Sequence, residues 1–159
     1  MKIIGMLLIV GSAVFFSYER SKNAQRELFI LEELFRFIER IRTDIGYYLR
    51  PIAEIAADFS SDVLLKLGFL SDVQNKGARA AYINLAAKTA FSEEEKRILE
   101  KFFSTLGNGY AEDEIKLIDL TLSMLSDTLR ARRESLPKQK KLSLTLSCAG
   151  ALALIILLI

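Results

Sequence analysis

An all-α fold, a bundle of five to six helices set between an N-terminal and a C-terminal transmembrane helix, is predicted by three observations. Apolar residues recur at three- and four-residue steps through nearly the whole middle of the chain. No segment of useful length alternates at the two-residue period of a strand, and there is no internal repeat or low-complexity tract. Both ends are uncharged: Ile3 to Tyr18 is a run of 16 residues and Leu142 to Ile159 a run of 18. Helices that carry apolar stripes must bury them on one another, which makes a bundle.

The first run sets the first element. A cleaved signal peptide would show Lys2, a short apolar core and small residues near Gly11 to Ala13. Apolarity instead continues through Val14, Phe15 and Phe16, and Tyr18 suits a membrane interface, so an uncleaved anchor over 3–18 is the better reading. With no proline from Met1 to Arg50, that helix is expected to run straight into the next. Leu31, Leu34, Phe35, Ile38, Ile41, Ile45 and Tyr48 put one apolar stripe on it. Glu32 before Arg36 and Glu39 before Arg42 supply charge pairs on the other face.

Pro51 restarts a short helix through Phe59. Ser60, Ser61 and Asp62 are cap residues for Val63 to Leu67, with Gly68 as a stop. Ala78 to Lys88 reads as a further helix. Ser92 and Glu95 form a capping box ahead of Ile98, Leu99, Phe102, Phe103 and Leu106, and Gly107 to Gly109 end that element. The last bundle helix opens on Glu112, Asp113 and Glu114 and closes on Arg130, Arg132 and Arg133, each sign at the favourable end of the helix dipole. Its apolar positions are Ile115, Ile118, Leu122, Leu125 and Leu129.

A hydrocarbon core of about 30 Å needs roughly 20 helical residues. Residues 142–159 come close to that, and their composition is too apolar to stay in water. They read as a C-terminal membrane helix. Gly5, Gly11, Ser12, Ser143, Ser147 and Gly150 offer small surfaces for helix packing within the two anchors.

Charge fixes orientation and removes several chemistries. Residues 19–141 hold 21 basic and 20 acidic side chains, so the overall net charge of +2 conceals a heavily charged middle. Arg20, Lys22 and Arg26 follow the first run; Arg130, Arg132, Arg133, Lys138, Lys140 and Lys141 precede the second. Positive charge beside a membrane stays on the cytoplasmic side, which predicts a cytoplasmic domain over 19–141. The basic cluster also suits anionic lipid heads. The chain has no His, so no imidazole base and no His-containing metal site, and its one Cys, Cys148, lies in the second apolar run. Glycine-rich phosphate loops are absent from the sequence. No catalytic, cofactor or metal residues are assigned, and an enzyme is disfavoured. So is nucleic-acid binding, because the middle is almost charge-balanced and its basic residues crowd the membrane ends.

From Thr43-Asp44-Ile45-Gly46-Tyr47-Tyr48-Leu49-Arg50-Pro51-Ile52, with Glu54-Ile55-Ala56 after it, the chain resembles the stage III sporulation protein AB family. Phe103-Ser104-Thr105-Leu106-Gly107 looks like that family's later Phe-x-x-Leu-Gly element, and Lys138 to Ile159 like its basic, then apolar, tail. The likeness covers the whole chain in order. The sequence departs from the pattern at Asp44, where Glu is commoner, at Arg50, where a Thr would cap the next helix, and at Asn108-Gly109-Tyr110. The family is similar to the cytoplasmic helical domain of the inner-membrane F protein of type II secretion and type IV pilus machines.

The resemblance implies a non-catalytic platform in a channel-like complex of endospore formation, in the mother-cell membrane around the forespore. It implies partners among the other stage III sporulation A-complex proteins, including a secretion-type ATPase and polytopic membrane proteins, with self-association left open. Arg36, Arg40 and Arg42 on the first long helix are the expected partner contacts, set against the alternative of a solvated face balanced by nearby Glu. Two other functions compete. A signalling bundle would use the long helices to pass shifts across the membrane, but the chain has no effector domain and no phosphoacceptor His. A membrane-bound hydrolase would need a matched acid and base, which the sequence does not offer.

Overall fold

The structure is a computed structural model that describes the backbone of residues 2–48, 50–107 and 111–158; side chains are described throughout 21–46, 50–107 and 112–138 and at a few positions beyond. Among the described residues the chain is all helical, with seven helices: α1 (Lys2–Tyr48), α2 (Ile52–Asp58), α3 (Asp62–Lys66), α4 (Phe69–Lys76), α5 (Ala78–Ala86), α6 (Glu93–Thr105) and α7 (Ala111–Leu158). The expected five to six elements of the bundle gain one. That one is α4, which sequence reading passes over because Gly68 looks like a stop. With φ +80° Gly68 does end α3, its N–H bonding to Leu65 O at 2.9 Å, but its carbonyl accepts from Asp72 N at 2.9 Å and so opens α4. Gly77, at φ +86°, joins α4 to α5 in the same way. Left-handed backbone of this kind is open to glycine without steric cost.

Two compact units emerge. One is Phe29–Arg130; the other pairs Met1–Leu28 with Ala131–Ile159. Within the first, α4 packs on α2, α3 and α5, and α5 packs on α6. An aromatic chain forms the centre. Phe37 of α1 meets Phe59 and Phe69 edge-on at 5.2 and 5.6 Å, Phe69 meets Phe103 at 5.7 Å, and Tyr82 stacks on Phe103 at 5.3 Å. Edge-to-face pairs at these separations exploit the ring quadrupoles. Leu31, Leu34, Ile38 and Ile41 of α1 are fully buried and Ile45 is buried, as the stripe predicts, while Phe35 is only half-buried; Ile30 and Phe37, which the stripe leaves out, take inward places. The side chain of Tyr48 lies outside the described residues. Ile98, Leu99, Phe102 and Phe103 of α6 and Leu106 at its C-cap, the five predicted positions, are all buried.

α1 runs unbroken to Tyr48, and Pro51, at φ −60° and ψ 141°, sits in the N-cap position of α2 rather than inside its first turn. The capping box at α6 is complete: Glu95 N donates to Ser92 Oγ at 3.3 Å and Ser92 N to Glu95 Oε2 at 2.7 Å. Past Thr105, Gly107 N donates to Glu114 Oε1 at 2.7 Å, so one of the acidic residues expected at the start of α7 ties it to the end of α6. The Asn108-Gly109-Tyr110 lead-in lies outside the described residues.

α7 corrects a boundary. Sequence reading closes the last bundle helix at Arg130 to Arg133, whereas one helix continues to Leu158 with Pro137 inside it. Proline removes one backbone N–H but leaves the flanking bonds, so a long helix tolerates it as a local break in the ladder. Within the larger unit α1 and α7 are antiparallel: Arg42 lies against Asp119, and a Cβ at Gly46 would lie 3.8 Å from Ile115 Cδ1.

The backbone of 3–18 and 142–158 is helical. Almost all side chains of both expected spans lie outside the described residues, and among the described residues no helix is long and apolar enough to cross a membrane.

Candidate functional site

Arg36, Arg40 and Arg42 occupy neighbouring turns of α1 and line one open groove of about 730 Å³, together with Glu39, Asp58, Phe59 and Leu122. The structure therefore brings all three sequence-predicted residues to a single place. Spacing explains two of them: positions four apart share a helix face. Arg42 joins because the groove extends to α7.

Each arginine is held by a carboxylate. Arg36 Nη1 donates to Glu33 Oε1 at 2.8 Å, and Arg40 Nε to Asp44 Oδ2 at 3.1 Å. The acceptors are buried and the cations are not. Glu33 and Asp44 side chains are 7 % and 3 % exposed, against 63 % and 49 % for Arg36 and Arg40. Arg42 instead reaches across to α7, where Nε and Nη2 both donate to Asp119, the latter at 3.2 Å. That bidentate fork matches guanidinium to carboxylate and is the stronger form of such a pair. The hydrogen bond from Arg42, with its charge, holds the Asp119 carboxyl below its usual range.

Behind the groove, Asp44 also accepts from Arg50 Nη1 at 3.4 Å, while Arg50 Nη2 donates to Asp58 at 2.5 Å and Nε lies 3.7 Å from Glu54. The bond to Asp58 is the main cause that raises the Arg50 pKa above its ordinary value, with the charges of Asp58, Asp44 and Glu54 adding to it. Arg50 thus fastens the end of α1 to both turns of α2. This fixes the chain reversal at Pro51 and places Phe59, which packs edge-on against Phe37 at 5.2 Å, in the groove wall. Asp44 and Arg50, the two described positions where the chain departs from the sporulation-family pattern, are partners of each other.

Sequence reading missed Asp44, Arg50, Asp119 and Phe59 as parts of this site. The i, i+4 spacing of Arg40 and Asp44 was a readable signal. Arg50 to Asp58 crosses a proline reversal and Arg42 to Asp119 spans 77 positions, so neither leaves a local trace. Chemically the arrangement is a set of oriented guanidiniums around a partly apolar wall, suited to binding. Among the described residues no group of three or more Cys, Asp or Glu could hold a metal ion.

Neither the characterised proteins nor the solved structures contain a match to this chain. The family profile of stage III sporulation protein AB, by contrast, matches residues 2–159. The motif resemblance and the all-helical fold agree with that match over the whole chain, which therefore belongs to the stage III sporulation protein AB family and has its role in stage III of sporulation.

Proposed function

We propose that the protein is a non-catalytic platform of a secretion-like channel complex required for endospore formation between mother cell and forespore. Two membrane helices hold it, and a cytoplasmic bundle engages a secretion-type ATPase, in the manner of the F protein that its family resembles. The observation that carries this reading is continuity. α1 and α7 belong to both units, and each runs from bundle residues into an uncharged apolar segment without a non-helical break among its described residues. The two segments share one unit, as paired anchors would. Phe15, Tyr18 and Leu142 are the three most exposed of the described large apolar side chains, and they stand at the inner ends of the two runs. Such exposure is costly in water and natural in a bilayer.

Cys148, the only cysteine, gives a direct test. In membranes from expressing cells, Cys148 is expected to resist a membrane-impermeant maleimide until detergent is added. In a Cys148→Ser background, Ser60→Cys, exposed in the bundle, is expected to label only in inside-out vesicles. Labelling of Cys148 in intact vesicles removes the second anchor. For the partner, charge reversal at Arg36 and Arg40 is expected to abolish co-purification with the ATPase from sporulating cells. Unchanged recovery takes both residues out of the interface.

A further inference from the structure

The groove says more than that a partner binds; it specifies what the partner must carry. We propose that it receives a protein segment of mixed charge, with two or more Asp or Glu side chains spaced around an apolar anchor. This deepens the platform reading, since it rests on Arg36, Arg40 and Arg42 as partner contacts.

The carboxylates that hold Arg36 and Arg40 are buried behind the groove, so each guanidinium is oriented from within while roughly half or more of its surface stays open. A guanidinium carries five N–H donors, and Arg36 and Arg40 spend one each on these inward bonds. An incoming carboxylate meets donors whose side-chain freedom is already restricted, which lowers the cost of ordering them on binding. Glu33 and Asp44 act here as positioning residues.

Glu39 and Asp58 stand among the arginines. A surface of closely spaced phosphates, whether lipid head groups or a nucleic acid, would set anions against both carboxylates. A protein segment avoids this by placing a polar or basic residue there. Like-charge juxtaposition is a strong discriminator between partners. Phe59 and Leu122 are half-buried in the same lining, and Phe59 is backed by buried Phe37, so the groove offers a firm seat for one apolar side chain. A central apolar anchor ringed by oriented polar groups is how small interfaces concentrate affinity.

The test keeps the full chain in its membrane. Position 43, an exposed Thr in the lining, is replaced by the photocrosslinker p-benzoylphenylalanine in sporulating cells, and the adduct is mapped by mass spectrometry. The expected product is a peptide with at least two Asp or Glu within two helical turns of a large apolar residue. Its yield should fall about tenfold in Arg36→Gln/Arg42→Gln, a pair that leaves the Arg40–Asp44 bond and the core intact; circular dichroism confirms the helicity. Changing the mapped acidic residues to Gln should lower the yield similarly in the unaltered chain. A lipid adduct, a basic or uncharged peptide, a yield indifferent to the arginines, or no adduct from a folded, labelled chain overturns the inference. The two readings fail separately. An acidic segment from a protein other than the ATPase upholds the groove assignment and removes the ATPase. Co-purified ATPase with no acidic adduct at position 43 does the reverse.

Discussion

Asp44 carries more of the local structure than its size suggests, because its carboxylate is buried and receives two arginines, Arg40 from within α1 and Arg50 just before the Pro51 reversal. Asp44→Ala is expected to lower stability by about 2 kcal/mol, the usual worth of a charge-assisted bond whose partner stays behind, measured as a shift in the urea midpoint. Two residues along, Gly46 is a helix-interior glycine with room for a methyl group, since the new Cβ would meet Ile115 at an ordinary 3.8 Å. Gly46→Ala should therefore stabilise by roughly 0.5–1 kcal/mol. Tyr82 gives a prediction in pH. Burial, with the charges of Glu100 and Glu95, pushes its phenol up to about 12 from 10.0. The folded state thus keeps a proton that the unfolded state releases, and stability from this group is complete below pH 10 and falls as pH rises from there to about 12, by on the order of 2 kcal/mol. Tyr82→Phe loses the hydrogen bond to Lys96 O and costs about 1 kcal/mol at neutral pH. Its alkaline stability profile should then be flatter than that of the unaltered protein.

Elements were legible where a local rule governs them and illegible where tertiary geometry does. The capping box at Ser92 is written in four consecutive residues and forms as written. Ser92→Ala should cost about 1 kcal/mol through the lost N-cap, read as a drop in thermal midpoint, with Ser92→Asp retaining most of it. The stripes of α1 and α6 follow from period alone, and most of their predicted positions are buried. α4 was the failure. It has only eight residues between two glycines, too short for its period to stand out, yet it packs against α2, α3 and α5 and, through Phe69, meets α1 and α6. Phe69 at its start bridges Phe37 and Phe103, so Phe69→Ala is expected to cost about 3–5 kcal/mol. Of the three arginines of the site, Arg36 and Arg40 were legible as a helix face and Arg42 was not. The groove around them was not, because α7 and the α2 reversal supply the rest of its lining.

At the scale of the molecule, one cross-helix contact reports on the closure of the larger unit. Arg42 and Asp119 are far apart in sequence and join α1 to α7. Because Arg42 depresses the Asp119 pKa, the pair contributes stability that is present above the unfolded carboxylate value and fades as pH falls through the lower folded one. Asp119→Asn should accordingly be less stable than the parent at neutral pH, and the two should converge at the acid end of a stability–pH series. Both pair members are about half exposed, so the difference is expected to be small and to shrink further in high salt. The antiparallel course of α1 and α7 could not have been read from composition, since either helix alone is consistent with many partners. It rests on which apolar faces the five intervening helices leave for each other.

That same arrangement sets an order in time. The contacts among α2 to α6 join near neighbours in sequence, whereas sealing α1 against α7 brings together residues 77 positions apart. Local contacts close quickly and distant ones late. During synthesis, with chain growth at ~5–20 residues per second, Arg42 waits roughly 4 to 15 seconds for Asp119 to be made. In that interval the short helices already cover part of the buried face of α1, as Phe59 and Phe69 do for Phe37, so they act as a nascent-chain shield as much as a scaffold.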